Sequence, residues 1–141
     1  DGWYEWQRAA GRAGNPVRGT HKQPFFITPA DGSGLAMAGL WSTWRSPDTT
    51  APPLVTCAVL TTDAVGPLAE IHDRMPLILP AQVWQAWLDP DRADPSELLA
   101  PPPAQLVHEL ELRPVSTAVN NVRHNGPELV ERVELALDGM W

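Results

Sequence analysis

The sequence predicts an α+β fold, mainly antiparallel β-sheet carrying short helices. Three observations lead there. Short runs of β-branched and aromatic residues recur along the chain, separated by turn-forming residues. Sixteen prolines and ten glycines in 141 residues leave little room for long helices. The clearest helical pattern is short: Val83, Trp84, Trp87 and Leu88 form one apolar face within Pro80 to Leu88.

The elements follow in order. Trp3 to Gln7 is an aromatic strand in which Trp3 and Glu5 share one face and Tyr4 and Trp6 the other. Residues 8–22 have no period and hold Gly11, Gly14, Asn15-Pro16 and Gly19, which predicts a hairpin loop. Gln23 to Thr28 is the second strand, closed by a turn centred on Asp31-Gly32. Leu35 to Trp44 is apolar on both faces, so a central strand is expected there. Leu54 to Thr62 is β-branched and predicts another strand, with Cys57 as a small buried hydrophobe within it. Pro67 to Ile71 suits one helical turn with proline at its start. Leu77 to Leu79 is a short buried strand. Pro80 to Leu88 is a helix with Trp84 and Trp87 in the core, stopped by Asp89-Pro90. Pro95 to Leu99 is a short helix with Asp94 at its cap. After the stiff Pro101-Pro102-Pro103 connector, Leu106 to Val115 is expected as strand. Val119 to Asn125 is loop, and Glu128 to Leu137 is weakly patterned.

Length suits one domain with a modest core. No apolar run approaches the roughly 18–20 residues that span a bilayer, so no membrane partner is expected. One cysteine excludes an internal disulfide and fits a reducing, cytoplasmic setting. The net charge of −7 argues against generic, charge-driven nucleic-acid binding. The charge is uneven, however: Arg8, Arg12, Arg18 and Lys22 crowd the first 22 residues, so a local basic face remains open. The chain begins with Asp1-Gly2 running straight into an aromatic strand, which predicts a start inside a domain.

The chemistry-bearing residues concentrate in Ile71-His72-Asp73-Arg74-Met75-Pro76 and in Trp3-Tyr4-Glu5-Trp6. A histidine exchanges protons near neutral pH; the bland reading of His72 is a helix cap or a partner for Asp73. Arg74 offers a fork of donors for phosphate or carboxylate; its bland reading is an ion pair with Asp73 or Glu70. Aromatic neighbours would desolvate Glu5 and suit it to general acid/base work, against the commoner case of a strand glutamate facing water. Trp6 could stack on a base, a contact worth about 1–3 kcal/mol, or simply pack in the core. No phosphate loop, nucleophile elbow or Cys/His metal spacing is present. From the residues alone the sum is an acid/base pair, Glu5 with His72, beside an arginine.

These residues resemble the SOS response-associated peptidase (SRAP) family. The resemblance runs through Asp1-Gly2-Trp3-Tyr4-Glu5-Trp6, Lys22-Gln23-Pro24-Phe25-Phe26-Ile27, Ala38-Gly39-Leu40-Trp41, Leu60-Thr61-Thr62, the His72 block, Pro114-Val115-Ser116 and Val119-Asn120-Asn121-Val122. It implies an antiparallel sheet forming a partial barrel, and a sensor of abasic sites in single-stranded DNA. In that family an N-terminal cysteine, freed by removal of the initiator methionine, forms a thiazolidine crosslink with the opened sugar. The resemblance gives Glu5 and His72 catalytic roles, and places Trp6, Thr61 and Arg74 against DNA. It implies no cofactor and a nucleoid-associated location. Nothing in this sequence matches the nucleophilic cysteine, and Cys57 corresponds to an interior strand position. Asp63-Ala64-Val65 also departs from the Ala-Asn common in relatives. Residues 1–141 are therefore expected to be the C-terminal portion of a single such domain, partnered by the missing N-terminal part. Two other readings stay open: a non-catalytic single-strand DNA-binding module, and a simple hydrolase using Glu5 and His72.

Overall fold

The computed structural model describes residues 1–7, 22–48 and 50–135. Its strands are β1 (Trp3–Gln7), β2 (Gln23–Pro29), β3 (Gly39–Trp44), β4 (Leu54–Val59), β5 (Thr61–Asp63), β6 (Arg74–Pro76) and β7 (Leu110–Pro114). Two short α-helices, α1 (Trp84–Leu88) and α2 (Ala104–His108), are joined by several 3-10 turns. The architecture is α+β with antiparallel pairing throughout, and the three sheets are open rather than closed into a barrel.

The main sheet has the order β1-β2-β7, with β2 in the middle. Trp3 lies opposite Ile27 and Glu5 opposite Phe25, while Ile27 lies opposite Leu112. Alternation puts Trp3, Glu5, Phe25, Ile27, Leu110 and Leu112 on one face. Phe25, Ile27 and Leu110 pack there with Leu68, Ile71, Met75, Ile78 and Val107. Ile27, Met75 and Ile78 are almost wholly buried, and each such side chain contributes about 1.5–3 kcal/mol of transfer free energy. Tyr4, Trp6, Phe26 and Arg113 occupy the opposite face. Tyr4 and Phe26 rings tilt together at 5.2 Å, and the Arg113 guanidinium sits 5.9 Å from the Phe26 centroid.

Residues 71–79 are the spine between two apolar clusters. Ile71, Met75 and Ile78 enter the first, and Leu77 and Leu79 enter a second with Ala38. Backbone hydrogen bonds fix the spine: Leu77 N–H donates to Leu60 O and Leu79 N–H to Ala36 O, both at 2.9 Å, and Ala38 N–H donates to Leu77 O at 2.8 Å. A chain held on both sides by extended segments cannot slip by one residue without exchanging its two cores.

Several expectations change. Leu106 to His108 is not strand: α2 fills Ala104–His108 and β7 starts only at Leu110. The run from Leu54 to Thr62 breaks at Leu60 into β4 and β5, which belong to different sheets. The expected loop at 8–22 falls almost wholly outside the described residues. The largest correction concerns β3 and β4. They form an isolated ribbon exposed along its whole length, not a central strand. Trp41 is 75% exposed, Val55 66% and Leu40 59%. Cys57 is exposed, not buried. Trp84 is 39% exposed, and its indole N–H donates to Leu79 O at 2.8 Å. Trp87 packs only partly, against the second cluster. Only the start of β3 has described neighbours, where Gly39, Leu40 and Trp41 line one cavity with Trp87 and Leu88; the apolar side chains further along the ribbon stay exposed.

Candidate functional site

β1 begins at a close approach. A Cβ on Gly2 would stand 2.3 Å from Ile27 O and 2.7 Å from the Phe26 ring, so only glycine lets the strand lie this near β2. That seating fixes the register of Glu5 and Trp6. Pro24 O, opposite Trp6, accepts from Val115 N–H at 3.0 Å. The Trp6 N–H therefore points off the open edge of β1, where Glu5 Oε1 accepts it at 3.2 Å. Glu5 is partly buried and shares its face with Trp3 and Gln7.

That face meets the turn that delivers His72. Trp3 packs on the cluster containing Ile71, and Gln7 Nε2 donates to Glu70 O at 3.1 Å. Glu5 lies between them in sequence, so Glu5 and His72 belong to the same side of the sheet. An open pocket of about 220 Å³ is lined by Ala69, Glu70, Ile71, His72 and Asp73; Glu5 is not among its walls.

His72 emerges just after the 3-10 turn Gly66–Glu70. Its Nδ1 lies 3.0 Å from Arg74 N, 3.2 Å from Arg74 O and 3.1 Å from Asp73 Oδ1. A neutral ring accepts the Arg74 N–H there; a ring protonated at Nδ1 donates to the carbonyl or to Asp73. Either way Nδ1 is occupied by the protein's own chain, and among the described residues Nε2 has no partner, which leaves it open to outside chemistry. The imidazole is 37% exposed.

Arg74 and Thr61 are brought together by the β5–β6 ladder, in which Thr61 faces Pro76 and Asp63 faces Arg74. Arg74 Nη2 donates to Thr61 O at 2.7 Å and to Thr61 Oγ1 at 2.8 Å. Its Nη1 donates to Asp63 Oδ1 at 2.8 Å. The ion-pair partner is thus Asp63, rather than the Asp73 or Glu70 that sequence proximity suggested.

Trp6 is on the other face of β1 from Glu5. Its indole N–H donates to Asn120 Oδ1 at 2.7 Å, and its ring lies 6.3 Å from that of Tyr4. Asn120 ends the 3-10 turn Thr117–Asn120, which is capped by Ser116 Oγ accepting from Ala118 N–H. The structure therefore gathers Thr61, His72 and Arg74 in one patch. It places Glu5 on the same side of the sheet and Trp6 behind it. Sequence reasoning missed Asn120 and Asp63. The Val119-Asn120-Asn121-Val122 block was the signal for the first; the departure at Asp63 was the signal for the second.

The comparisons with known proteins agree on a family. The model of "SOS response associated peptidase (SRAP)" matches residues 1–122, and the chain belongs to that family. It is 34% identical over 131 residues to "Abasic site processing protein YoqW" of Bacillus subtilis (strain 168), covering 93% of this chain and 54% of that protein. It is 34% identical over 137 residues to "Abasic site processing protein YedK" of Escherichia coli (strain K12), covering 94% and 55%. It is also 34% identical over 156 residues to "Abasic site processing protein HMCES" of Xenopus tropicalis, covering 96% and 42%. The chain thus spans about half the length of the curated relatives it matches. Among solved structures, a protein from Bacteroides thetaiotaomicron superposes with a TM-score of 0.75 at 24% identity, over 94% of this chain and 54% of its own. A second, from Bordetella bronchiseptica, gives 0.62 at 28%, over 82% and 52%. These two share the fold. Among the described residues no helix is long and apolar enough to cross a membrane.

Proposed function

We propose that this chain is the C-terminal portion of an SRAP domain that captures abasic sites in single-stranded DNA as a covalent adduct. The carrying observation is the joint placement of His72, Arg74 and Thr61 in one patch, on the side of the sheet that also holds Glu5. The relatives' name, abasic site processing protein, gives the substrate class.

The chemistry needs a cysteine with a free α-amine, supplied by the portion of the domain that this chain does not match. The amine adds to the opened sugar's C1 aldehyde to give a carbinolamine, which loses water to leave an imine. The thiol then adds to the imine carbon, passing its proton to the nitrogen, and the thiazolidine ring closes. The carbinolamine step must take a proton from nitrogen and give one to a departing hydroxyl. Glu5 and His72 Nε2 serve as that proton pair. The same pair, drawing a proton from a water that attacks the Met–Cys carbonyl and giving one to the departing cysteine amine, would release the initiator methionine ahead of the cysteine. Arg74 and Thr61 hold a backbone phosphate, which sets the register of the strand without reading sequence. Trp6 stacks near the lesion from the other side of β1.

Two observations support a partnering portion. The β3–β4 ribbon carries large apolar side chains on both faces, Leu40, Trp44 and Leu54 on one and Trp41, Val55 and Val59 on the other. A patch of that kind is ordinarily covered, and covering two faces calls for a surrounding chain rather than a single flat contact. The buried Trp3 indole N–H, beside Glu5's position, lacks an acceptor among the described residues and would gain one from such a portion.

The test is a denaturing-gel assay with single-stranded DNA holding one abasic site. The chain is joined behind the unmatched portion of a relative, beginning Met-Cys. The joined protein should form a stable adduct, and Glu5→Gln or His72→Gln should slow its formation by about 100-fold or more. A joined protein that forms no adduct, or variants as fast as the parent, would overturn the reading. A chain that binds the DNA tightly while both variants change nothing would instead favour a non-catalytic single-strand binding module.

A further inference from the structure

The Arg74 guanidinium is already holding an anion. Of its five N–H donors, one on Nη1 goes to Asp63 Oδ1 and two on Nη2 go to Thr61 O and Oγ1. A phosphate that takes the end-on pair, one N–H from each Nη nitrogen, competes with Asp63 at Nη1 and with one Thr61 acceptor at Nη2. Asp63 is the charged one. Its side chain is 88% exposed, so its carboxylate faces the solvent through which a DNA strand would approach. The neighbourhood adds Asp73, 90% exposed, and the exposed Glu70. Asp63 thus contacts Arg74, while Asp73 and Glu70 line the pocket beside His72, an unfavourable field for a polyanion.

We infer that Asp63 is an affinity-setting latch: an internal anion on Arg74 Nη1 that competes with a DNA phosphate for the guanidinium. This rests on the phosphate role proposed for Arg74. The opposite role, in which Asp63 orients Arg74 for DNA, is weaker on geometry. Thr61 alone makes two hydrogen bonds to Nη2, one of them to a backbone carbonyl fixed in the β5–β6 ladder. The guanidinium stays moored when Asp63 is removed. What Asp63 adds is an exposed pair of small worth to the fold and a negative charge within a few ångströms of the phosphate position. The latch lowers affinity for a phosphate at Arg74.

The experiment measures fluorescence anisotropy of a labelled single-stranded oligonucleotide against the joined protein as wild type, Asp63→Asn, Arg74→Ala and the double variant, at low and moderate salt. Asp63→Asn should tighten binding by about three- to ten-fold at low salt, the size of one screened unit-charge contact. The gain should shrink as salt rises. Arg74→Ala should weaken binding, and adding Asp63→Asn to it should restore nothing. Asp63→Ser, which removes the charge without supplying an amide, should tighten binding like Asp63→Asn. Binding by Asp63→Asn and Asp63→Ser that equals or falls below wild type would overturn the latch and make Asp63 an orienting residue. A gain that persists in the Arg74→Ala background would also overturn it, as a general charge effect. If Arg74→Ala alone binds like wild type, the phosphate role of Arg74 is what fails, and the latch fails with it.

Discussion

The Trp6 indole N–H and the Asn120 side-chain oxygen lie 2.7 Å apart, tying β1 to a turn 114 residues later in the chain. The bond fixes the plane of an aromatic ring that would otherwise rotate at an open sheet edge. Asn120→Ala should cost no more than about 1 kcal/mol of stability, because water can replace the lost partner at an exposed site. It should nevertheless weaken single-strand binding by about three- to ten-fold, since stacking requires a held ring. Equal affinity of Asn120→Ala and wild type, measured by anisotropy at one salt concentration, would separate Trp6 from the DNA.

The chain alone should form no thiazolidine adduct. Its only cysteine is Cys57, a mid-strand residue with peptide bonds on both sides and hence no free α-amine. Incubation with abasic single-stranded DNA, followed by a denaturing gel without added reductant, should show unshifted DNA. A heat-stable shifted band containing this polypeptide would contradict the proposed division of labour.

Cys57 is also a reporter for the exposed ribbon, where it faces Trp41 across the β3–β4 ladder. In the isolated chain its thiol should react with an aromatic disulfide reagent as fast as a free thiol. In the joined protein the rate should fall by about ten-fold or more. Trp41→Ser should change the isolated chain's stability by less than about 0.5 kcal/mol, whereas Ile27→Ala, in the core, should cost about 2–5 kcal/mol. A Cys57 thiol that stays equally reactive after joining would show that the ribbon is not the contact surface.

Acid should weaken the sheet through Glu111. Hydrogen bonds from Arg113 and then Arg132, each backed by charge attraction, hold its carboxyl well below the usual range, at about 2. The folded value lies below the ordinary 4.5. The stabilisation is therefore complete above about pH 4.5 and is lost as pH falls toward 2. The cluster is partly open to water, which screens it to about 1 kcal/mol. Glu111→Gln should thus be about 1 kcal/mol less stable than wild type at pH 7 and indistinguishable from it near pH 2, by urea titration at each pH. A constant gap across that range would remove Glu111 as the cause.

Local pattern was enough for some of this protein. The alternation of Trp3 to Gln7 placed Glu5 and Trp6 on opposite faces of one strand, because side chains in a strand alternate whatever the strand pairs with. The aromatic and β-branched runs gave most of the strands, and the family resemblance singles out Glu5 and His72 for catalysis and Trp6, Thr61 and Arg74 for DNA contact. Tertiary structure decided what pattern could not. It broke the run from Leu54 to Thr62 at Leu60, because that residue's backbone is shared between Ala38 and Leu77. It turned Leu106 to His108 into helix against the turn that precedes His72. It paired Arg74 with Asp63, eleven residues away, rather than with its neighbours. It left the ribbon bare where apolar composition predicted a centre. Composition records how much surface a segment needs to bury, but only the folded chain shows what is there to bury it.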